Sequence, residues 1–328
     1  MTPQRTKIRN LALVLAAALL LAACSSLPQR PGAGLWHGGR LFVATGNTSG
    51  VYYAIGGGYA DLITKHVTGY EARAEATGAS GENIQRVATG DMDIALTLAD
   101  TAADAYTGKG TFDGKPQKVV ALARVYKSYV HLVVRASAHI TKFSDLRGKR
   151  VSTGSAGSGV DVVAGRILFA GGLNPDTDIV RQRLSLPETT KGMQAGTTDA
   201  FFFTGGLPTP GIADLLGTGS PGAYQFLPLS SLLQPLTYRY GPVYSGAKIP
   251  KTAYNTPADI DTIVIGNFIV VSPDMPDDLA YELTKVLFDY QKDLAKVHPE
   301  GGNFDKGTAP QTDPIPLHPG AARFYSSG

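Results

Sequence analysis

Residues 43–51 read V-A-T-G-N-T-S-G-V, and residues 151–160 read V-S-T-G-S-A-G-S-G-V. In each copy a short apolar run leads into a Gly-rich turn, and an apolar, helix-like segment follows. Such a turn lets the backbone approach a ligand and directs free amide N–H groups toward it. A second pair of similar segments follows in the same order: G-D-M-D-I-A-L at 90–96 and G-T-T-D-A-F-F at 196–202. The nearly equal offsets favour two similar α/β lobes, although abundant small residues could also produce such a match by chance.

The apolar pattern after residue 40 alternates between short strand-like runs and longer helix-like segments. It predicts strands near 41–45, 71–76, 94–98, 119–125, 130–134, 179–184, 200–203 and 262–271. Helices are predicted between most of them, and alternation of this kind is typical of βαβ units with mostly parallel sheets. Segment 205–260 is rich in Gly and Pro and is expected to be irregular, whereas the apolar tail 314–325 is expected to pack on the body.

The N-terminus has the pattern of a bacterial export signal. Arg5, Lys7 and Arg9 precede a continuous apolar run that is too short to span a bilayer and ends in L-A-A-C at 21–24. Small residues before a cysteine resemble a lipobox, so we predict a signal peptide at 1–23 and lipid attachment at Cys24. An ordinary signal peptide with an incidental cysteine is the alternative. Residues 24–39 are Ser/Pro/Gly-rich, which predicts a flexible tether with Trp36 exposed.

Net charge and cysteine content exclude several classes of partner and site. The formal net charge is +3, and residues 1–23 carry three cations and no acid, so the mature chain is nearly neutral and has no basic character suited to nucleic acid. The single cysteine excludes an intrachain disulfide and a Cys-based metal site. After the tether about 290 residues remain, which is ample for two lobes.

Motifs of the common enzyme classes are missing from the sequence. It contains no G-x-G-x-x-G, G-K-[ST] or G-x-S-x-G motif, and its six histidines lack metal-ligand spacing. Asp91 and Asp93 could be paired carboxylates, but a structural role in a helix-to-strand turn is the favoured interpretation, since Asp199 repeats it. His131 lies in an apolar run and is interpreted as a core or cleft histidine. We therefore predict a binding protein without catalytic residues, metal or cofactor.

Several motifs together resemble one family. Segment 44–60, A-T-G-N-T-S-G-V-Y-Y-A-I-G-G-G-Y-A, resembles the A-T-G-x-x-x-G-x-Y-Y signature of TAXI-family solute-binding receptors, the extracytoplasmic subunits of a class of TRAP transporters. Further matches are E-A-T-G-A-S-G-E-N (75–83), H-L-V-V-R (131–135), D-L-R-G-K-R-V-S-T-G-S-A-G-S-G (145–159) and P-I-P-L-H-P-G-A-A-R-F-Y (314–325). The chain departs from the family at Y-K-S-Y (126–129), where Tyr-Pro-Glu-Pro is usual.

The resemblance implies a periplasmic-binding-protein-like α/β fold: two Rossmann-like lobes, a two-strand hinge and a ligand cleft between the lobes. Lobe 1 would comprise 40–129 plus 262–328, and lobe 2 would comprise 136–255. The hinge crossovers would lie at 130–135 and 256–261. Ligands known for the family imply a small organic anion, such as a carboxylate or an amino acid.

Two sources could compensate the charge of such an anion. One is the pair of Gly-rich turns, whose amides and hydroxyls lie at helix N-termini; the other is a side-chain cation, with Lys127 and Arg124 as candidates. We expect the turns to dominate, although the glycines could serve only to make tight turns. The candidate ligand-binding residues are Thr48, Ser49, Gly50, Tyr52, Asn83, Leu98, Tyr126, Lys127, Thr153, Gly154, Ser155, Gly157, Ser158, Gly159 and Thr204.

The sequence thus predicts a monomeric, lipid-anchored, extracytoplasmic receptor that delivers a small organic anion to TRAP membrane subunits, fused or separate. Its mechanism would be closure of the lobes on the ligand. A sensory lipoprotein that signals ligand occupancy to a partner without transport is the alternative from another functional class.

Overall fold

A computed structural model describes residues 34–327. The predicted signal peptide at 1–23, Cys24 and the first part of the predicted tether therefore lie outside the described residues. Within the described part no helix is long and apolar enough to cross a membrane.

Strands and helices alternate through most of the described chain. The strands are β1 Arg40–Ala44, β2 Glu71–Glu75, β3 Ile94–Leu98, β4 Val120–Arg135, β5 Arg150–Ser152, β6 Val180–Gln182, β7 Ala200–Gly205, β8 Tyr224–Phe226, β9 Tyr244–Ile249 and β10 Ile260–Val271. The helices are α1 Val51–His66, α2 Ser80–Ala88, α3 Ala99–Thr107, α4 Gly159–Ala170, α5 Leu186–Ala195, α6 Pro210–Thr218, α7 Leu233–Tyr240, α8 Lys251–Tyr254, α9 Asp277–Asp289, α10 Gln291–Val297 and α11 Pro319–Ser326.

One mixed sheet runs through both lobes in the order β2-β1-β3-β10-β4-β7-β5-β6, with β8 on β4 and β9 on β10. Strands β1, β2 and β3 are parallel and form lobe 1, and β5, β6 and β7 are parallel and form lobe 2. The two trios are joined by β4 and β10, which pair antiparallel with each other. This is the two-lobed, hinged α/β fold that the sequence predicts.

The hinge consists of two continuous strands. Strand β4 pairs with β10 up to Tyr129, and from Tyr129 onward it pairs with β7. Strand β10 pairs with β9 up to Ile265, and from Val264 onward it pairs with β4. The predicted crossover 130–135 thus follows the change of partner in β4, and the predicted crossover 256–261 precedes the change in β10. The lobe boundaries drawn from the sequence stay predictions.

Three local expectations are wrong. The two apolar runs at 119–125 and 130–134 form the single strand β4, because the polar residues between them, Lys127 and Ser128, alternate across the faces of the strand without breaking it. Segment 205–260 is not irregular: it contains three helices, with Pro210 opening α6 at a position where proline is well tolerated, and two strands. Trp36 is only partly exposed, since its indole Nε1 donates to Asp93 Oδ1 at 3.1 Å and its ring stacks on His37.

The expected packing of the tail is confirmed by α11, where Phe324 is buried.

The sequence repeat corresponds to a repeated contact. In lobe 1 the Asp93 N–H donates to the Phe42 carbonyl at 3.0 Å, and the Asp93 carboxylate accepts from the Phe42 N–H at 2.7 Å. In lobe 2 Asp199 makes the same pair of bonds to the backbone of Arg150, at 2.9 and 3.0 Å. Each aspartate therefore joins the start of the third strand of its lobe to the first, which confirms the structural interpretation of both residues.

The two aspartates differ in their further partners. The indole of Trp36 and the imidazole of His37 also contact the Asp93 carboxylate, and the side chain of Asp93 is 2% exposed. Arg150 and Arg135 pair with Asp199, and the hydrogen bonds from Arg150 in particular hold the pKa of this carboxyl well below its usual range. Both carboxylates thus serve the fold, and neither is available for chemistry.

We predict that Asp93→Ala lowers the free energy of unfolding by about 2 to 3 kcal/mol, because a buried amide and indole lose a charged acceptor. Asp91→Ala is the matched control: Asp91 is exposed, bonds only to the Thr89 hydroxyl, and its loss should change stability by no more than about 0.5 kcal/mol. Urea unfolding of both variants measures the difference. Equal losses would refute the structural role of Asp93.

Candidate functional site

Both Gly-rich turns end at helix N-termini that face each other across the lobes. The turn at 46–50 leads into α1, and the turn at 154–158 leads into α4, whose N-cap Ser158 accepts a bond from the Asp161 N–H at 3.1 Å. Gly154 has φ +95°, and a Cβ there would lie 2.7 Å from Val160 Cβ, so only glycine fits this position. The backbone of the second turn is thereby held close to the start of α4.

A cavity of about 40 Å³ lies between these turns. The N-termini of α2 and α5 also reach it, through Ser80 and Leu186, and β3, β4 and β7 supply its remaining walls. The positive ends of four helix dipoles therefore converge on one enclosed space. A volume of this size holds about three water molecules.

Three side-chain polar atoms at this cavity are buried without a hydrogen-bond partner among the described residues. They are the Tyr126 hydroxyl, the Thr204 hydroxyl and Asn47 Oδ1, and all three residues line the cavity. Tyr126 is 1% exposed, and burial raises its pKa well above the usual value for tyrosine, so the phenol keeps its proton and remains a donor. Because buried polar groups without partners are costly, these atoms mark a place where a ligand can bind.

Nine of the predicted site residues line this cavity: Gly50, Tyr52, Leu98, Tyr126, Gly154, Ser155, Ser158, Gly159 and Thr204. Asn83 and Thr153 do not, because their side chains are used in the fold: Asn83 Nδ2 donates to backbone carbonyls of β1 and β3, and the Thr153 hydroxyl donates to Asp161. Thr48 and Gly157 are exposed, and Ser49 contacts α6 next to the cavity.

The two predicted cations do not reach the cavity. Lys127 is exposed, because neighbours in a strand face opposite sides of the sheet and Tyr126 faces the cavity. Arg124 lines a different cleft, which is described below. No lysine or arginine is among the described residues that line this cavity, so its donors are backbone amides and hydroxyls.

Sequence reasoning missed several lining residues. Asn47 and Ser80 lie inside motifs that were matched to the family, and Leu186 follows Ser185, whose capping box with Glu188 is a readable helix-start signal. Phe202 and Phe203 carry no such signal, because an apolar residue at the end of a buried strand looks like any other core residue.

The lobes touch each other directly beside the cavity. The Gly211 N–H of α6 donates to the Ser49 carbonyl at 3.2 Å, and a Cβ on Gly159 would lie 2.5 Å from Ser80 Oγ and 2.7 Å from Leu98 Cδ1. A ligand larger than a few atoms therefore enters only if the lobes move apart.

An ion network joins the lobes on the other side of this contact. Arg166 of α4 donates to Asp100 at 3.2 Å and to Asp104 at 2.5 Å, both on α3, and Tyr244 donates to Asp100 at 2.6 Å. Asp100 is 1% exposed, and this burial raises its pKa despite the neighbouring guanidinium. The network links the two lobes at a distance from the cavity.

The NMT1-like family matches residues 43–327. The chain belongs to this family. Among solved structures, the alkanesulfonate-binding protein SsuA from Xanthomonas axonopodis pv. citri, bound to MOPS, is similar with a TM-score of 0.53 and 14% identity over 88% of this chain and 83% of that one.

Two further structures have the same fold. PhnD1 from Prochlorococcus marinus in complex with methylphosphonate has a TM-score of 0.53 and 10% identity, over 81% of this chain and 91% of that one. A binding protein component of an ABC phosphonate transporter from Pseudomonas aeruginosa has a TM-score of 0.54 and 13% identity, over 80% and 78%. At these identities the likeness establishes the fold.

We predict that Gly159→Ala holds the lobes apart, because the new Cβ would overlap Ser80 and Leu98 of lobe 1. Alanine is favourable in a helix, so unfolding should change little. The control is Gly165→Ala in the same helix, where the nearest atom, an Arg181 nitrogen, is 3.8 Å away. Small-angle scattering should give a larger radius of gyration for Gly159→Ala alone. Identical radii for both variants would show that this contact does not set the closed arrangement.

Proposed function

We propose that this protein is an extracytoplasmic solute-binding receptor for a small organic anion, which it delivers to a membrane transporter. The observation that carries the proposal is the set of buried, unpartnered polar atoms on Asn47, Tyr126 and Thr204 in a cavity between two lobes. The family, the fold and the ligands named for the similar structures, a sulfonate-type buffer and methylphosphonate, support it.

The cavity favours a compact anion of low charge. Its donors are amides at helix N-termini and neutral hydroxyls, which stabilise one negative charge without a counterion. A second charge in the same space would lack compensation, since the described lining contains no side-chain cation. Apolar contacts from Leu98, Leu186 and Phe203 suit a short hydrocarbon part. A small monocarboxylate, or an amino acid with its ammonium group near the Asn47 oxygen, meets these conditions.

Ligand binding would act through the hinge. The residues that line the cavity come from both lobes, so a ligand there contacts both and favours the closed state over the open one. Membrane subunits that recognise the closed state would then receive the ligand.

The membrane partner is proposed to be of the TRAP type, on the motif resemblance of 44–60 and 145–159 to TAXI receptors. The similar protein from Pseudomonas aeruginosa is a component of an ABC phosphonate transporter, which favours an ABC permease as the second candidate. Uptake in vesicles that contain the cognate membrane subunits separates the two: a TRAP system needs an ion gradient and no ATP, whereas an ABC system needs ATP.

The binding function is tested by native mass spectrometry on protein purified without refolding, to identify a carried-over ligand, and then by calorimetry. Tyr126→Phe should weaken binding by about 1 to 2 kcal/mol, roughly 5- to 30-fold, because the ligand loses a hydrogen bond from the phenol. Tyr53→Phe is the control, since Tyr53 neighbours Tyr52 on α1 but is 37% exposed and lies outside the cavity. Equal affinity in the two variants would remove Tyr126 from the site.

Lipid anchoring at Cys24 is part of the same proposal. Two or three acyl chains anchor a protein stably where one is marginal. Cys24→Ala should therefore release the protein from the membrane fraction into the soluble extracytoplasmic fraction, with folding unchanged. Membrane association that persists in this variant, together with wild-type processing that is insensitive to globomycin, would contradict the lipoprotein assignment.

A further inference from the structure

A second, larger cleft lies on the opposite face of the hinge strands. It has a volume of about 1140 Å³. Gly266 and Phe268 of β10 form part of its floor, whereas Asn267 between them faces the other way and bonds to Tyr52 at the first cavity. Its walls come from α3 of lobe 1 and α4 of lobe 2. The two spaces share no described lining residue, and Leu98 and Gly159, which lie close together, line only the first.

Arg124 lies at the floor of this second cleft. It is partly buried on β4, and among the described residues no carboxylate pairs with it and no side-chain hydrogen bond is made by its guanidinium. A Cβ on Gly266 would come within 3.1 Å of Arg124 Nε, so the glycine leaves room for the guanidinium to lie against β10. Partly buried arginines are usually paired, and a guanidinium without a partner offers two parallel N–H groups to an oxyanion.

The remaining charges of the cleft leave an excess of cations. Arg166 pairs with Asp100 and Asp104, and Arg181 and Arg183 pair with Asp161 and Asp176. Three cations of the described lining have no acidic partner: Arg124, Arg239 and Lys109. One carboxylate of the described lining, Asp313, has no cationic partner. The full described lining has six cationic side chains and five carboxylates, so the second cleft has a small positive excess, whereas the described lining of the first cavity has no charged side chain.

Aromatic side chains also line this cleft. Phe169 of α4 is 42% exposed at the cleft, and Tyr240 lines it with its ring under the Arg166 guanidinium at 4.8 Å. An exposed phenylalanine in a cleft that also holds unpaired cations suits a ligand with an apolar part and a charged end.

We propose that the second cleft binds an organic oxyanion, whose carboxylate or phosphate group pairs with Arg124 and whose apolar part packs on Phe169. This site is separate from the first cavity and does not rest on the function proposed for it. Because the cleft is lined by both lobes, its occupant contacts both, and binding there is coupled reciprocally to the relative position of the lobes.

Calorimetry on the full chain tests the site with 1-naphthoate and 1-naphthyl phosphate as probes and neutral 1-naphthalenemethanol as the uncharged analogue. We expect at least one anion to bind and the neutral analogue not to bind, and the better anion assigns the carboxylate or phosphate preference. Arg124→Gln should weaken that binding by roughly tenfold or more. Lys127→Gln is the matched control, since it removes one positive charge from the same strand outside the cleft, and its affinity should be that of the wild type.

Phe169→Ala provides a second variant at an exposed position, where folding is not at risk, and it should weaken both anions several-fold. Tyr126→Phe, at the first cavity, should leave their affinity unchanged. The proposal is overturned if neither anion binds, if the neutral analogue binds as well as the anions, or if Arg124→Gln and Lys127→Gln have equal affinities. Loss of binding in Tyr126→Phe would also overturn it, by assigning the probes to the first cavity.

Discussion

The antiparallel pairing of β4 with β10 is the constraint on which both binding spaces depend. Strand β10 pairs with β3 of lobe 1 and strand β4 pairs with β7 of lobe 2, so the pairing of β10 with β4 joins the two lobes. Their backbone bonds are supported by side chains: Ser128 donates to Asn267 Oδ1 at 3.0 Å, and Asn267 Nδ2 donates to the Tyr126 carbonyl at 2.8 Å. A register shift between Gly266 and Phe268 changes which residues face each side. It places Tyr126 toward one space and Arg124 toward the other.

The closed arrangement is held by contacts of two different kinds. Next to the first cavity the lobes meet through backbone and small side chains, where Gly159 and Gly211 allow close approach. Beyond it, Arg166 and Asp100 form a buried ion pair. A buried pair contributes little net stability compared with an apolar contact, but separating its partners is expensive unless water reaches both. Opening exposes both partners together, so the network resists small displacements more than full separation.

The sequence predicted correctly those features that are determined by residues close together in the chain. The repeated Gly-rich turns and the structural role of Asp93 and Asp199 were predicted correctly, because a glycine with positive φ, or a carboxylate that bridges two strands, has a recognisable local sequence pattern. Lys127 and Arg124 show the limit. Their positions in the matched motifs placed both near the ligand. In the structure Lys127 is exposed and Arg124 lines the second cleft, so neither reaches the first cavity. A strand exposes alternate faces, and a register shift inverts that alternation, so the side that a residue faces depends on the pairing partner.

The same reasoning explains the segments that were misjudged. Gly and Pro between 205 and 260 were interpreted as irregular structure, yet Pro210 opens a helix and Gly241 follows the end of α7. A high content of Gly and Pro occurs both in irregular segments and in segments where short helices and strands follow closely on one another, so composition alone does not distinguish the two. The unpartnered hydroxyls of Tyr126 and Thr204 could not be predicted from the sequence for a different reason. Whether a buried hydroxyl has a hydrogen-bond partner depends on all the residues packed around it in three dimensions.

If Cys24 carries the proposed lipid, the contact of Trp36 with Asp93 would also limit the distance between the folded body and the membrane. It fixes the start of the folded body at the edge of lobe 1, twelve residues after Cys24. A fully extended chain spans at most about 3.5 Å per residue, so a lipid at Cys24 keeps this edge within about 40 Å of the membrane surface. A receptor tethered in this way through lobe 1 would find its transporter by diffusion in two dimensions. Its rate of encounter is then set by the number of copies per area of membrane and not by their concentration in the surrounding volume.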